Sequence, residues 1–516
     1  MIQSPAGYQG DVRIKRYLDF YQPGYGVAML SSGTAFTPLS LFAAGENGAW
    51  FDPSDFNTLF QDSLGTTPVT SVEQNVGLAL DKSQGLTPGA ELVTNGDFSN
   101  GTTGWSSDNT GAGTGNFAVV NGQGVVTTTV NYWWAYTTIS TTIGKWYRVT
   151  FTLPNVQTAA YIGKTDTNNI LAKTNDVAFI SGTSATGTIT GYFLATATTT
   201  YIYFQNNSGT LTFDNVSVRL IPGNHAYQST SGARPLLSAR VNELVGTATL
   251  STQSVTTIAA SYTLYFTGTG SVTLSGTATG TYSAGTNTFT CTDGTLTVTV
   301  TGSVLTADLR QTNSNVGLPV YQRVTTSTDY DTVNFPVYFR FNGIGTFFLT
   351  NTIALGSVDK AQLFVGVRKN NSTAQGAVTE LSVSVGANNG TFNMFAPTGA
   401  GQNDYSINSR GTVNPGSLII TGIAPPNTSV LCGLMDISGD SRILRRNGAV
   451  AGTSTADQGT GNFGSYPLYI GMRGGATIPL SGRIYAYILR FSSTNLPAAT
   501  VANTEVWVNS KTKAYA

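Results

Sequence analysis

The sequence predicts an all-β chain, organised as one split β-sandwich carrying two inserted β-sandwich modules. Three observations point there. Charged residues make up only 10% of the 516, while hydrophobic residues reach 40%; an ordinary globular protein is roughly 25% charged. With 59 glycines and abundant Thr, Ser and Asn, such a chain favours strands and turns over helices, and its apolar content excludes a disordered polar tract. Second, residues 145–155, 198–218 and 295–301 alternate apolar and polar side chains with a period of two, the pattern of half-buried strands. Third, the Pro-Gly turn signals LTPG (86–89) and LIPG (220–223) bracket a long interruption, as suits domain insertion.

Composition also narrows function. The formal net charge is +0 and no basic block occurs, so the electrostatic footprint of a nucleic-acid binder is missing. A neutral, Thr-coated surface fits a neutral partner such as a glycan, or tight packing into an assembly; a β-rich composition alone would produce it too. The two cysteines, Cys291 and Cys432, lie far apart and are expected to be free, buried thiols. The first twenty residues lack the apolar stretch of a signal peptide. No apolar run approaches the ~20 residues that span a bilayer. Synthesis in a cytoplasm without membrane insertion is the expectation.

Taken in order, residues 1–44 form an arm. Its aromatics Tyr17, Phe20, Tyr21 and Tyr25 follow the basic run 13–16, so residues 1–30 read as a docking segment or a mobile terminus. The main sandwich opens at 45–85 with Trp50-Phe51-Asp52-Pro53-Ser54-Asp55, followed by Phe60-Gln61-Asp62, Gly65-Thr66-Thr67-Pro68-Val69 and Asp81-Lys82-Ser83. Asp52 and Asp55 flanking Pro53-Ser54 are turn chemistry, and Trp50 is large enough to anchor a sandwich edge. This run of about forty residues resembles the opening of bacteriophage and prophage virion proteins with a laminin-G or concanavalin-like domain. In many concanavalin-like domains the Asp-Lys-Ser segment continues into a Gly-Asn-x-Ala segment. Here Gly223-Asn224-His225-Ala226 resumes only after the interruption, and Ala233-Arg234-Pro235 also resembles the family pattern.

The first insertion, 90–219, begins Glu91-Leu92-Val93-Thr94-Asn95-Gly96-Asp97-Phe98 and closes Leu211-Thr212-Phe213-Asp214-Asn215-Val216. Those two ends resemble jelly-roll carbohydrate-binding modules. The main sandwich returns at 223–242. A second insertion, 243–310, has Thr295, Thr297, Thr299 and Thr301 alternating with Leu296, Val298 and Val300, a half-buried strand with a Thr-covered face. It resembles a small all-β module of phage structural proteins, with no activity implied. Residues 316–516 complete the concanavalin-like sandwich, with hairpin turns at Gly439-Asp440 and Asn447-Gly448. Residues 495–513 read as a C-terminal helix whose apolar face would hold Ala498, Val501, Val506, Trp507 and Val508.

Candidate sites are few. The sole histidine, His225, sits in a turn-like segment and reads as structural; no nucleophilic triad, zinc spacing or phosphate loop is recognisable. Carboxylate pairs for glycoside hydrolysis are not excluded by sequence. The jelly-roll resemblance implies a structural calcium at Glu91, Asp97 and Asp214, whose hard oxygens suit that ion; solvated turn residues are the alternative. In the main domain the resemblance would place acidic residues where this chain has 341–346, FNGIGT, which speaks against calcium there. The densest aromatic cluster, Tyr132, Trp133, Trp134 and Tyr136, alternates in direction. One face must be core. The other either exposes rings that stack on sugars or packs internally as well.

Together the resemblances imply a non-enzymatic virion protein, a tail or head fibre or an appendage subunit, that adsorbs to host-surface glycan. The other classes are a purely structural decoration protein and a glycan depolymerase of a tailspike. Expected partners are other virion proteins, further copies of the chain with a trimer favoured, and cell-surface glycan; the expected location is the virion, assembled in the bacterial cytoplasm.

Overall fold

The computed structural model describes residues 36–109, 114–130, 132–157, 160–168, 173–182, 184–312 and 315–516. The aromatic arm at 1–30 lies outside them. Thr37–Ala516 is organised into three sets of antiparallel sheets. The all-β expectation holds, with a single α-helix among the described residues, Ala498–Thr512.

An eight-stranded and a nine-stranded sheet form the largest sandwich. The first is centred on Lys360–Lys369, which pairs with Ser481–Ser492 on one side and Asn427–Asp436 on the other. The second runs from Leu59–Phe60 through Leu78–Ala79, Ala226–Tyr227 and Phe348–Thr350 to the edge strand Leu418–Ile420. Their inner faces meet in one core that includes Phe339, Leu363, Val365, Phe392, Met394, Ile407, Leu468 and Leu489. Asn447 and Gly448 both take positive φ (51° and 81°) between Ser441–Arg446 and Ala449–Ser454, the backbone that a tight hairpin requires.

Lys360–Lys369 is buried at nearly every position, because its outer face is covered by the helix. The helix buries Val501, Thr504, Glu505, Val508 and Thr512, spaced as one helical stripe. Val506, expected on the apolar face, is 64% exposed; it falls off that stripe, and the buried Glu505 takes the place beside it by pairing with Arg445 at 2.9 Å. Gly366 lets the helix approach: a Cβ there would lie 1.9 Å from the Thr512 hydroxyl oxygen.

The motif at 50–55 anchors this helix. Asp52 accepts hydrogen bonds from the Ser54 N–H and hydroxyl at 3.0 and 2.6 Å and pairs with Lys511 at 3.0 Å. Trp50 meets Trp507 edge-on at 5.6 Å, and the Lys82 ammonium lies 4.5 Å from the Trp50 ring centre, within cation–π range. A few residues on, the buried Asp81 carboxylate accepts N–H groups from Trp50, Ser83 and Asn224 at 2.7–2.8 Å. Asn224 lies 143 positions from Asp81. Gly223 takes φ 122°, a backbone that disfavours any side chain, and a Cβ there would lie 3.0 Å from the Asp81 carbonyl oxygen.

Between those meeting points, the strands from Ser106 to Ile221 pair only with one another among the described residues, in two five-stranded sheets around an aromatic core that includes Phe98, Trp105, Phe204 and Phe213. Entry and exit run side by side: the Gly89 N–H bonds the Leu220 carbonyl at 2.8 Å. An apolar joint, Phe60, Leu78 and Leu80 against Trp146, Tyr192 and Ile221, seats this module on the main sandwich. The second inserted stretch is a five-stranded sheet, Gln253–Thr257 to Leu305–Gln311, around Tyr262, Leu264, Leu296 and Val298. Cys291 and Cys432 are free and buried.

Candidate functional site

The first module's outer face carries a cluster of aromatic rings. Strand Trp133–Ser140 pairs with Thr199–Asn206, which pairs in turn with Ala160–Thr165. Register places Tyr136 opposite Tyr203, Gln205 opposite Trp134, and Tyr161 opposite Gln205, so these side chains share one face. Trp134 lies 5.5 Å from Tyr136 and 5.9 Å from Tyr203 between ring centres, and Tyr136 lies 5.8 Å from Tyr201. Tyr136, Tyr161 and Tyr201 are half-buried, and their hydroxyls bond no other described residue.

Lys173 and Asp176 cover one end of this face. The Lys173 ammonium sits 4.5 Å from the Tyr203 ring centre, and the Tyr203 hydroxyl donates to Asp176 at 2.8 Å. Burial pushes the Lys173 ammonium down from its usual range, with Asp176 partly offsetting it. Burial also raises the Tyr203 phenol, and the Asp176 carboxylate adds to that. Beneath this cover the indole N–H of Trp134 and the Oε1 of Gln205 are buried without partners.

The aromatic cluster foreseen from sequence therefore divides. Trp133 turns inward against the module core. Trp134 is fully buried, 0% exposed; it lies on the outer face but under neighbouring rings, and so cannot itself be the exposed platform. Tyr132 precedes the strand and is 43% exposed. Of the four, Tyr136 alone joins the half-buried row. Tyr161, Tyr201 and Tyr203 complete the face, and the alternation of Tyr201, Tyr203 and Gln205 with Ile202 and Phe204 is the sequence signal for two of them.

Of the expected calcium ligands, Glu91 and Asp97 line one cleft beside Asn215, and Asp214 does not line it; among the described residues no three acidic, His or Cys side chains are placed to hold a metal. Glu91 is saturated by protein donors. It accepts the N–H groups of Leu92, Val93 and Val218 at 2.9–3.0 Å and the Ser217 hydroxyl at 2.6 Å, and it pairs with Arg219 at 3.2 Å. Burial pushes its carboxyl up, yet these donors hold it below the usual range. Asp97 caps Ser99 on the surface, and Asp214 accepts the Asn215 N–H at 2.7 Å. The residues present do not fit the ion. In the 341–346 loop, Asn342 Oδ1 gathers N–H donors from Ile344, Gly345 and Thr346 at 2.9–3.3 Å, so an amide oxygen organises that turn.

His225 is fully buried, and its Nδ1 accepts the Asp81 N–H at 3.0 Å. The tautomer is thereby fixed with the proton on Nε2, which has no partner. Burial pulls the imidazole down from 6.5 to about 3.

Neither a protein-family model nor a curated protein matches the chain. Among solved structures it is similar to the Ruminococcus gnavus IT-sialidase CBM40 bound to α2,3-sialyllactose, at 13% identity and a TM-score of 0.24, over 29% of this chain and 84% of that one. It is similar to the native heptameric SAP-like pentraxin from Limulus polyphemus, at 13% identity and a TM-score of 0.26, over 32% of this chain and 80% of that one. The botulinum neurotoxin serotype D binding domain matches at 9% identity and a TM-score of 0.27, over 33% of this chain and 42% of that one.

Proposed function

We propose that this chain is a non-enzymatic surface protein of a bacteriophage particle that adsorbs to cell-surface glycan through the outer face of its first inserted module. The observation that carries the glycan reading is the row of half-buried tyrosines, Tyr136, Tyr161 and Tyr201, with uncommitted hydroxyls on one sheet face. Phenol rings stack on the apolar faces of sugars, and their hydroxyls serve as donors and acceptors to sugar hydroxyls. Trp134 and Tyr203 support that row from below. The virion reading is supported by the resemblance of residues 45–85 to phage virion proteins. Repetition of weak sites in a closed oligomer would supply avidity.

The test is retention of the purified chain on immobilised host surface polysaccharide. Tyr136→Ala with Tyr201→Ala is expected to abolish retention and to leave the melting temperature within a few degrees. Unchanged retention would remove this face from consideration. Shortening of the polysaccharide on incubation would make the protein a depolymerase, and its absence from purified particles by mass spectrometry would refute the virion assignment.

A further inference from the structure

The second inserted module carries a cleft that the sequence did not announce. Strand Ala260–Gly276 pairs with Gly280–Cys291 on one side and Leu305–Gln311 on the other. Its Tyr262, Leu264 and Phe266 enter the core, so Thr263 and Tyr265 face outward. Thr286 and Asp308 flank Tyr265 from the two neighbouring strands.

The chain returning to the main sandwich crosses this face and is pinned there. Arg310 donates to the carbonyl oxygens of Pro319 and Val320 at 2.9 and 3.3 Å. Asp308 accepts the Gln322 N–H at 2.8 Å and pairs with Arg310. Between the pinned segment and the sheet lies a cleft of about 190 Å³, lined among others by Thr263, Tyr265, Thr286, Asn315, Leu318 and Val320.

Three features define what could fill it. The one ion pair is internal: Asp308 and Arg310 satisfy each other and the pinned backbone, so the cleft offers no net charge to a ligand. The polar groups that remain are neutral and uncommitted: the Tyr265 and Thr286 hydroxyls bond no other described residue. The walls also carry apolar surface, with Val320 65% exposed beside the Tyr265 ring. The volume is below the roughly 300–1,000 Å³ of drug-sized sites, room for one small ring.

We propose that this cleft is a second ligand site, independent of the tyrosine row, and that it takes a single neutral pyranose ring. The ring's apolar face lies against Tyr265 and Val320, and its hydroxyls meet the Thr286 and Tyr265 hydroxyls.

The experiment uses the full chain carrying Tyr136→Ala and Tyr201→Ala, which removes the first face. Probes are the methyl glycosides of glucose, galactose, mannose and N-acetylglucosamine, with methyl glucuronide as the charged comparison, followed by ligand-observed NMR titration. At least one neutral glycoside is expected to bind, and the glucuronide at least tenfold more weakly. Adding Thr286→Arg, an exposed substitution that fills the cleft, is expected to weaken binding tenfold or more, as is Tyr265→Ala. If the double variant binds none of the neutral glycosides, or if Thr286→Arg changes nothing, the inference is overturned while the reading of the tyrosine row stands on its own retention assay. Equal binding of the glucuronide would overturn the assignment to neutral sugars.

Discussion

His225 makes the chain's stability fall with acid in a window where little else titrates. Its imidazole is held neutral in the fold, with a pKa near 3 against 6.5 when free. The unfolded chain therefore takes up a proton as pH drops below 6.5, and the folded chain does not. Stability from this group is fully present above pH 6.5 and is lost progressively as pH falls toward 3. Each pH unit below 6.5 costs about 1.4 kcal/mol, so moving from pH 7 to pH 5 removes about 2 kcal/mol. It is the sole histidine, and ordinary carboxylates are still largely ionised at pH 5. Buried carboxyls pushed upward, Asp81, Asp308 and Glu380, act with the opposite sign. They are common to the wild-type chain and His225→Gln, whose side-chain oxygen can still accept the Asp81 N–H. Urea unfolding of both chains between pH 7 and 5 is the assay, and the difference between them should shrink by about 2 kcal/mol across that range. Parallel curves would refute the buried neutral imidazole.

Two further substitutions probe packing. Trp134→Ala is expected to cost the first module roughly 3–5 kcal/mol, as for a large buried aromatic; a change under 1 kcal/mol in denaturant unfolding would mean the ring is not held under its neighbours. Gly366→Ala should destabilise by about 1–3 kcal/mol through overpacking against Thr512. Thr512→Ala in the same chain should recover most of that loss in thermal melts, and a lack of recovery would show that the close approach of the helix is not what requires glycine.

The tyrosine row and the small cleft sit on different modules, and each is tied to the main sandwich, the second through Asn242, whose side chain bonds the Ala307 and Gln322 carbonyls at 2.9 Å, and the first through an apolar joint. Trp146 packs at 5.7 Å from His225 and 5.5 Å from Tyr227 between ring centres. The Tyr192 N–H reaches the Leu64 carbonyl at 2.6 Å, and Asn351 bonds the Gly144 carbonyl at 3.0 Å. Apolar burial with hydrogen bonds at its rim gives the first module a fixed orientation on the main sandwich. In the closed oligomer proposed above, a fixed geometry would lose less entropy when a second site binds.

What could be read from sequence, and what could not, follows from how far each feature depends on distant chain. Strand periodicity and turn chemistry are local, so the all-β class, the Asn447-Gly448 hairpin and the C-terminal helix were legible. The contact of Asp81 with Asn224 was also accessible, because both halves keep recognisable residue types on either side of the gap. Direction along Trp133–Ser140 was legible too, since alternation alone separates Trp133 from Trp134. Burial was not. Trp134 is covered by rings from Thr199–Asn206, Ala160–Thr165 and its own strand, with Lys173 and Asp176 capping Tyr203, and no local pattern announces such a cover. The partners of Glu91 were illegible for a related reason: a carboxylate near a strand end looks the same in sequence whether a cation or four protein donors and an arginine satisfy it. The cleft at Tyr265 depends on Arg310 and Asp308 pinning a segment that crosses their sheet. Each of those residues is unremarkable where it stands in the sequence, and the site exists only through the crossing.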